Sequence, residues 1–211
     1  MAFDETWEKE IYSKNKQKNN YPFDWVVSNV HKFIKKKNLV IEYGCGSGNN
    51  LGFLYNFGFK TVIGIDGSNT AIKFCKNKYL KIKNIECNVA DFTNFTNKKK
   101  ADLILDRASI THNTKPNIKK IISNIYQNLN NGGVFMSYMF STKHHAKMDK
   151  KKNLYFKKTM NLKNGLQSSF FSENEIKKIF KKFKLISLNE IIDHDKLKNL
   201  NIGIWSIICK K

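Results

Sequence analysis

Three alternating glycines carry the clearest chemical meaning in this chain. Gly44, Gly46 and Gly48 follow the apolar run Leu39–Tyr43, and glycine lets a backbone turn sharply while leaving no Cβ between main chain and ligand. A helical pattern resumes at Gly48, so a ligand there would face the free N–H groups of a helix N-terminus. The spacing therefore predicts a strand, a glycine turn and a helix that bind a ligand together.

A carboxylate follows the next apolar run, TVIGID, which ends at Asp66. An acid about twenty residues beyond a glycine turn is at the right position to bind a pair of ribose hydroxyls. The segment then predicts a nucleoside-binding βαβ unit. The alternative role of Asp66 is to cap the helix that begins near Asn69.

The glycine spacing and Glu42 indicate which cofactor class suits this unit. A dinucleotide fingerprint reads G-x-G-x-x-G and places a pyrophosphate over the helix N-terminus. Here the spacing is G-x-G-x-G, and Glu42 stands two residues before Gly44. An acid at that position would repel a pyrophosphate and attract the cationic amino-acid moiety of S-adenosylmethionine (SAM), which has no phosphate. The local chemistry therefore favours SAM over NAD.

The complete pattern resembles the class I SAM-dependent methyltransferases. It comprises E-x-G-x-G-x-G from Glu42, the strand-end Asp66, and Asp91-Phe92 after a third apolar strand. The resemblance covers nearly the whole chain. It implies a Rossmann-like fold with a doubly wound, mostly parallel seven-stranded sheet, an antiparallel C-terminal hairpin and N-terminal helices.

The same resemblance implies which residues hold the cofactor. The methionine and ribose portion of SAM would be lined by Glu42, Gly44, Cys45, Gly46 and Gly48, the cysteine contributing mainly its backbone. Asp66 would hold the ribose hydroxyls, with Gly67 and Ser68 beside the adenine. Asp91 would accept from the adenine amino group, with the Phe92 amide nearby.

Arg107 is the one arginine among 38 basic residues. A guanidinium offers planar, forked donors that bind a carboxylate or phosphate at two points, which lysine does not imitate. We predict that Arg107 clamps either an anionic substrate or the carboxylate of SAM. The alternative is an intramolecular pair with a neighbouring acid that shapes the pocket.

Three histidines are candidates for a base. Methyl transfer from a sulfonium needs mainly alignment and exclusion of water, but a hydroxyl acceptor also loses a proton. His112 lies beyond the fourth predicted strand, and His144 and His145 lie beyond the fifth. All three are expected at the pocket rim, where the alternative is an exposed loop position. An acceptor that is already an anionic oxygen needs no base.

Alternating apolar runs predict the elements that position these residues. Strands are expected at 39–43, 61–65, 84–89, 101–106 and 133–140, and helices at 3–15, 23–37, 49–57, 69–79, 116–129 and 173–183. Asn130–Gly133 reads as a turn, and the last strands are expected near 184–192 and 202–209. This alternation is typical of a parallel, doubly wound sheet.

We predict one methyltransferase domain over residues 1–211. Its parts are an N-terminal helical cap (1–37), a SAM-binding core (38–140), a basic substrate-side insert (141–172), and a C-terminal helix and hairpin (173–211). The insert begins with STKHHAKMDKKKNLYFKKTM, which is dense in lysine. It is either an electropositive substrate lid or a solvated loop.

Composition limits the remaining interpretations. The net charge of +21 suits nucleic-acid binding, but a solvated lysine-rich surface explains it better. The four cysteines form no C-x-x-C pair, which argues against a zinc site or a disulfide framework and favours a reducing compartment. No apolar run approaches the ~20 residues of a membrane span, and the acidic N-terminus is unlike a signal peptide. We therefore expect a cytoplasmic protein without membrane insertion, and the sequence indicates no oligomeric state.

The leading functional hypothesis is methylation of a small, anionic metabolite. The site after the fourth strand reads Asp106-Arg107-Ala108-Ser109, without the N/D-P-P-Y/F element of amino-methylating enzymes, and the chain has no Pro-Cys pair. The segment WEKEIYSKNKQKNNYPFDWVVSNV, together with YGCGSGNN and LILDRAS, resembles a subgroup of bacterial methyltransferases associated with surface-carbohydrate biosynthesis. That resemblance implies O-methylation of a sugar, phosphate-linked or nucleotide-linked precursor. The alternatives are an RNA or protein methyltransferase and a SAM-binding regulatory subunit without turnover.

Overall fold

A seven-stranded sheet forms the centre of the computed structural model, which describes residues 3–148, 161–163 and 165–211. The strands are β1 (Leu39–Tyr43), β2 (Thr61–Asp66), β3 (Ile85–Val89), β4 (Ala101–Arg107), β5 (Leu129–Phe140), β6 (Lys184–Asp195) and β7 (Leu200–Lys210). Their order is β3-β2-β1-β4-β5-β7-β6. β1 to β5 run parallel, whereas β7 runs antiparallel to both β5 and β6. The predicted fold class is confirmed.

The described residues form five α-helices, which pack beside this sheet. They are α1 (Asp24–Phe33), α2 (Leu51–Asn56), α3 (Asn69–Lys78), α4 (Lys115–Asn128) and α5 (Glu173–Ile179). At the N-terminus of three of them, a side-chain hydroxyl accepts a hydrogen bond from a backbone N–H of the first turn, which stabilises the helix. These N-caps are Ser68 for α3, Thr114 for α4 and Ser172 for α5.

The apolar core lies in two layers, one on each face of the sheet. Alternate strand residues point to opposite faces, so Val40 packs into the layer that contains α1, α2 and α3, while Ile41 packs into the layer with α4 and α5. All five residues of β1 are buried. A central strand covered on both faces explains why this segment is continuously apolar up to its acid.

Several element boundaries differ from the predictions. The N-terminal helix predicted over 3–15 is only a π-helical turn, Trp7–Tyr12, and α1 ends at Phe33 because the next residue is extended. The turn predicted at Asn130–Gly133 lies inside β5: Ala101 pairs with Leu129 but Leu103 pairs with Val134, so the intervening residues bulge out of register. Residues 149–160 and 164 of the predicted basic insert lie outside the described residues.

The expectation of unpaired cysteines is wrong. Cys75 of α3 and Cys87 of β3 form a disulfide, while Cys45 and Cys209 are free and buried. The sequence separation of 12 residues gave no recognisable motif, because the pair is created by the packing of α3 against β3. Among the described residues, no helix has the length and apolarity needed to cross a bilayer.

Candidate functional site

Two cavities open at the carboxyl ends of β1, β2 and β4, where open α/β sheets bind their ligands. Their volumes are about 100 and about 60 Å³. The larger is lined by seven of the predicted site residues: Gly44, Asp66, Gly67, Asp91, Phe92, Arg107 and His112. The smaller is lined by five: Glu42, Gly44, Cys45, Gly46 and Arg107. Ser68, Gly48, His144 and His145 line neither cavity.

The glycine loop between β1 and α2 has a backbone that other residues rarely adopt. Gly44, Gly46 and Gly48 have φ angles of +69°, +52° and +78°, in the left-handed region that favours glycine. A Cβ on Gly44 would lie 2.2 Å from the Cβ of Ser109. Gly48 faces α3 instead, since its Cβ would lie 2.7 Å from Cys75 Sγ. Gly44 is thus required by the close approach of Ser109 beside the cavity, and Gly48 is required by the packing of α3.

Asp66 at the end of β2 supports the glycine loop while facing the larger cavity. One carboxylate oxygen, Oδ2, accepts from the Gly46 N–H at 3.0 Å, and Oδ1 accepts from the Ser68 N–H at 2.9 Å. Burial raises the pKa of Asp66 to about 6, although these backbone hydrogen bonds oppose the rise. Ser68 itself caps α3 and is fully buried. Asp66 therefore combines the predicted position with a structural role in the loop.

Glu42 lines the smaller cavity with a carboxyl group of which only one oxygen has a hydrogen-bond partner in the described part of the chain. Its Oε1 accepts from Asn50 Nδ2 at 2.6 Å, whereas Oε2 is buried and has no hydrogen-bond partner within the described part of the chain. Burial raises the pKa of Glu42 to about 8, and nearby Asp106 and Asp66 add to the rise. A buried acceptor without a partner costs free energy, so this geometry suits a ligand that brings a donor or a positive charge.

Asp91 and Phe92 line the larger cavity just beyond β3. Asp91 Oδ1 accepts from the Thr93 N–H at 2.9 Å and from Thr93 Oγ1 at 2.8 Å. The ring of Phe92 packs against Tyr43, with 5.4 Å between centroids. The two residues are therefore held in a tight turn beside the cavity, at the side where adenine is predicted to bind.

Asp106 organises the end of β4, and sequence reasoning missed this role. Its Oδ1 accepts from the backbone N–H groups of Ser109 (2.8 Å) and Ile110 (3.0 Å), and Oδ2 accepts from Ser137 Oγ at 2.7 Å. The turn forces Ala108 to a φ of +61°. Such a conformation in a residue with a Cβ is strained and often accompanies function. The acid-hydroxyl spacing Asp106–Ser109 was the available sequence signal, since it is typical of a turn.

Arg107 lies where the two cavities join, because it lines both. Its guanidinium is stacked between two rings, 4.6 Å from the Phe23 centroid and 4.5 Å from the Tyr138 centroid. Its Nε is buried with no hydrogen-bond partner among the residues described. Burial lowers the pKa of Arg107, and Tyr138, Asp106 and Asp24 oppose that effect. The two rings hold the guanidinium in place between them.

His112 lines the larger cavity and has a defined hydrogen-bond network. Its Nδ1 lies 3.1 Å from the carbonyl of Gln167 and 3.1 Å from Ser168 Oγ. The carbonyl can only accept, so Nδ1 carries the hydrogen and Nε2 is the acceptor nitrogen in this network. Burial lowers the pKa of His112 to about 4. The ring packs edge-on against Trp7, with centroids 5.0 Å apart.

His144 and His145 are not brought to the cavities. His144 is only 2% exposed, its Nδ1 accepts from the Ala146 N–H at 3.0 Å, and its ring packs on Phe140 at 4.7 Å. Burial lowers the pKa of His144 to about 4. His145 begins a 3₁₀ turn that ends at Met148. Within the described part of the chain, neither histidine lines a cavity of the candidate site.

The chain is similar to known methyltransferases by sequence profile and by fold. A family model described as a methyltransferase domain matches residues 34–184. None of the curated proteins is detectably similar in sequence. Because the family match spans most of the chain, the protein belongs to this methyltransferase family. SAM is its cofactor, and the predicted enzyme class is confirmed.

Solved structures share the fold at low sequence identity. A SAM-dependent methyltransferase from Methanosarcina mazei has a TM-score of 0.69 and 18% identity, over 87% of this chain and 96% of the other. A SAM-dependent methyltransferase from Anabaena variabilis has a TM-score of 0.67 and 18% identity, over 88% of this chain and 84% of the other. Phosphoethanolamine N-methyltransferase 2 from Haemonchus contortus, in complex with SAM, has a TM-score of 0.77 and 14% identity, over 100% of this chain and 60% of the other. At these identities the likeness shows the fold alone.

Proposed function

We propose that this SAM-dependent methyltransferase transfers the methyl group to a small, anionic metabolite. The support for a small acceptor is the cover over the larger cavity. Residues of the N-terminal segment, among them Phe3, Trp7 and Tyr12, line the larger cavity together with the loop after β4. A folded polymer would have to displace that cover, whereas a metabolite can be enclosed by it, and enclosure excludes water from the reaction.

Arg107 is the observation that carries the anionic assignment. Its stacked guanidinium lies at the junction of the cavities, and its Nε lacks an acceptor within the described residues. An anionic oxygen of a ligand would satisfy that donor. Among the described residues that line the smaller cavity, Glu42 has the one carboxyl group, and a carboxyl group suits the ammonium group of SAM. The carboxylate of SAM is therefore the alternative partner of Arg107.

The proposed cofactor site follows the two cavities. Glu42 and the backbone of Gly44, Cys45 and Gly46 would hold the methionine end in the smaller cavity, while Asp66 would accept from the ribose hydroxyls. Gly67, Asp91 and Phe92 would surround the adenine in the larger cavity. Gly48 and Ser68 would act indirectly, through the packing of α3. SAM supplies an activated methyl carbon, and the chain contributes orientation.

We assign His112 to the acceptor rather than to the cofactor. It stands beside Trp7 in the larger cavity, and its Nε2 is the acceptor nitrogen of the ring. A neutral imidazole with a pKa of about 4 is a weak base, so its suitable role is to orient an acceptor hydroxyl or amine by accepting its hydrogen. One structural neighbour is by name a phosphoethanolamine N-methyltransferase. Nitrogen is thus the alternative to oxygen as the methylated atom.

The deciding experiment incubates the protein with methyl-labelled SAM and a metabolite extract, followed by mass spectrometry of the labelled product. We expect a labelled small anion, a sugar or nucleotide-linked precursor being the leading class. Labelled RNA or protein instead would favour the polymer alternative, and steep loss of binding with rising salt would support RNA. SAM binding without any labelled product would favour a regulatory subunit.

Arg107→Lys tests the anionic assignment separately. Lysine keeps the charge but loses the forked donors, so KM for the ligand that Arg107 binds should rise about tenfold or more. A rise for the acceptor supports the proposal, and a rise for SAM alone assigns Arg107 to the cofactor. Unchanged KM values for both would remove Arg107 from the site.

The remaining proposals concern organisation and location. We propose that residues 1–211 act as one unit, with the basic insert 141–172 on the substrate side, because the described parts of the insert (141–148, 161–163 and 165–172) follow β5 and include Gln167, which contacts His112. The expectation of a cytoplasmic location rests on the cysteine pattern, the lack of a long apolar run and the acidic N-terminus. The Cys75–Cys87 disulfide gives that location no support.

A further inference from the structure

Residues 3–16, here called the N-terminal segment, cross the opening of the larger cavity and contact both of its walls. On the wall formed by β2 and α3, the segment places Glu8 against the start of α3. Glu8 Oε2 accepts from Ser68 Oγ at 2.5 Å and from the Thr70 N–H at 3.1 Å, and Oε1 accepts from Thr70 Oγ1 at 2.5 Å. One carboxylate therefore ties the segment to the turn that follows Asp66.

The segment also covers the predicted adenine side directly. The ring of Phe3 lies so close to Gly67 that a Cβ on the glycine would be 2.2 Å from it. Phe3 and Gly67 both line the larger cavity. The cover thus rests on the residue that the sequence predicts beside the adenine.

On the opposite wall, the N-terminal segment contacts the last part of the basic insert. Asp4 Oδ2 accepts from the Gln167 N–H at 2.9 Å, and Glu10 Oε2 accepts from the Lys163 N–H at 2.6 Å. Ile11 is fully buried against Leu162 and Leu166. This wall carries His112 through its bond to Gln167. The segment therefore joins the cofactor side of the cavity to the acceptor side.

Glu8 is charged in this arrangement. Burial raises its pKa, but hydrogen bonds from Ser68 and Thr70 outweigh that effect, so the pKa of Glu8 lies below its ordinary value. The carboxylate also stands at the N-terminal end of α3, where the helix dipole favours a negative charge. Hydrogen bonds to a charged group are the stronger kind, so these contacts are a substantial restraint on the segment.

The N-terminal segment leaves little open space above the floor of the site. The volumes of the two cavities, about 100 and about 60 Å³, compare with roughly 300–1,000 Å³ for ordinary ligand pockets. The floor is made by strand ends and the glycine loop, which are fixed by the sheet. The cover is the part held by side-chain contacts, and so it is the part that can open.

We propose that Glu8 is a positioning residue for the cofactor: it latches the N-terminal segment over the site, and SAM exchanges only when this latch opens. The inference rests on SAM as the cofactor and goes beyond it by assigning the gate. Closure would bring Trp7 against His112 and enclose the acceptor. Opening would release S-adenosylhomocysteine (SAH), the product form of the cofactor.

The test is stopped-flow exchange of SAH in Glu8→Gln, with Glu5→Gln as the matched control. Both changes remove one negative charge from the same segment, but Glu5 is exposed and paired only with Lys9 on the surface among the described contacts. We expect the SAH association and dissociation rates to rise together, about tenfold or more, in Glu8→Gln, with the Kd for SAH and kcat changed far less. Glu5→Gln should match the wild type.

Thr70→Val provides a second variant that keeps the acid and removes one of its donors. It should accelerate exchange in the same direction, and combined with Glu8→Gln it should add little, because both changes break the same contact. Circular dichroism identifies any variant that fails to fold, and Thr70→Val then decides the question.

Two results separate this inference from the cofactor assignment. Wild-type protein that binds no SAH contradicts the assignment, and the latch with it. Wild-type protein that binds SAH, together with unchanged exchange rates in both Glu8→Gln and Thr70→Val, overturns the latch alone.

Discussion

At the scale of single residues, buried carboxyl groups define the chemistry of the site. Glu42 is 1% exposed and Asp66 is 6% exposed, and burial raises their pKa values to about 8 and about 6. The fold therefore holds acids that are easily protonated in the closed, unliganded protein. A cationic ligand would return them to the charged form, because an opposite charge nearby lowers the pKa of a carboxyl group.

Proton release on SAM binding is the resulting prediction. At pH 7 Glu42 is mostly protonated in the free protein because its pKa is about 8. If the ammonium group of SAM lies beside it, binding should release up to about one proton. Calorimetry at pH 7 in buffers of different ionisation enthalpy measures this number. Glu42→Gln is the control and should release fewer protons; equal release by both proteins would contradict the assignment.

His112 should matter for turnover more than for cofactor binding. His112→Phe keeps a ring against Trp7 but removes both nitrogens, so kcat should fall about 100-fold while KM for SAM stays near the wild-type value. His31→Phe is a matched control, since His31 is exposed on α1. Because the pKa of His112 is about 4, its titration should add no inflection to the pH–rate profile between pH 6 and 8. An unchanged kcat would exclude His112.

At the scale of elements, the strand ends and the turns after them were the most predictable features. β1 begins and ends where the apolar run does, and the glycines after it form the predicted turn, with φ angles in the left-handed region. The reason is local: these residues determine their own backbone conformation. Asp66 and Arg107 could likewise be placed at the sheet edge, because parallel strands bring their carboxyl ends together.

Features made by long-range packing could not be read from the sequence. The contact of Glu8 with Ser68 joins residues 60 positions apart, and no local pattern marks it. The same holds for Cys75 with Cys87 and for the burial of His144 beneath Phe140 and Phe170. A histidine in a loop looks exposed in sequence, whereas here the loop folds back over the sheet.

Gly44→Ala tests the glycine loop as an element. The φ of +69° is strained for alanine, and the new Cβ would lie 2.2 Å from Ser109 Cβ. Gly132→Ala is the matched control, with φ +74° and open space around it, so it carries only the backbone strain of about 1 kcal/mol. Thermal unfolding and SAH titration should show a larger loss in Gly44→Ala. Equal losses would mean that the contact with Ser109 is not tight.

At the scale of the whole molecule, charge is distributed unevenly. The chain carries a net charge of +21, yet within the described residues no lysine lines either cavity of the site, while Asp4, Glu42, Asp66 and Asp91 do. The acids are gathered at the sheet edge and the lysines lie elsewhere. This arrangement explains how a strongly basic protein can offer a local environment that suits a cationic cofactor.

The unliganded protein should lose stability as the pH rises from about 7 to 8, because a buried carboxyl group must then ionise. Glu42 and Asp66 have folded-state pKa values above their ordinary 4.5 and 3.8. Their contribution is therefore fully present below about pH 4 and is lost as the pH rises through about 6 for Asp66 and about 8 for Glu42. Each group adds a slope of up to about 1.4 kcal/mol per pH unit. His112 and His144, whose pKa values burial lowers to about 4, act in the opposite sense below about pH 6.5. Urea unfolding should therefore show the decline between pH 7 and 8, and a Glu42→Gln variant with an equally steep decline there would contradict this cause.

The most direct measurement is a calorimetric titration of the folded protein with SAH, repeated on Asp66→Ala and with NAD as the competing ligand class. We predict saturable binding of one SAH per chain, weakened at least about tenfold in Asp66→Ala, and no heat from NAD. Absence of SAH binding by folded wild-type protein, or binding that Asp66→Ala leaves unchanged, would contradict a SAM site at this edge of the sheet.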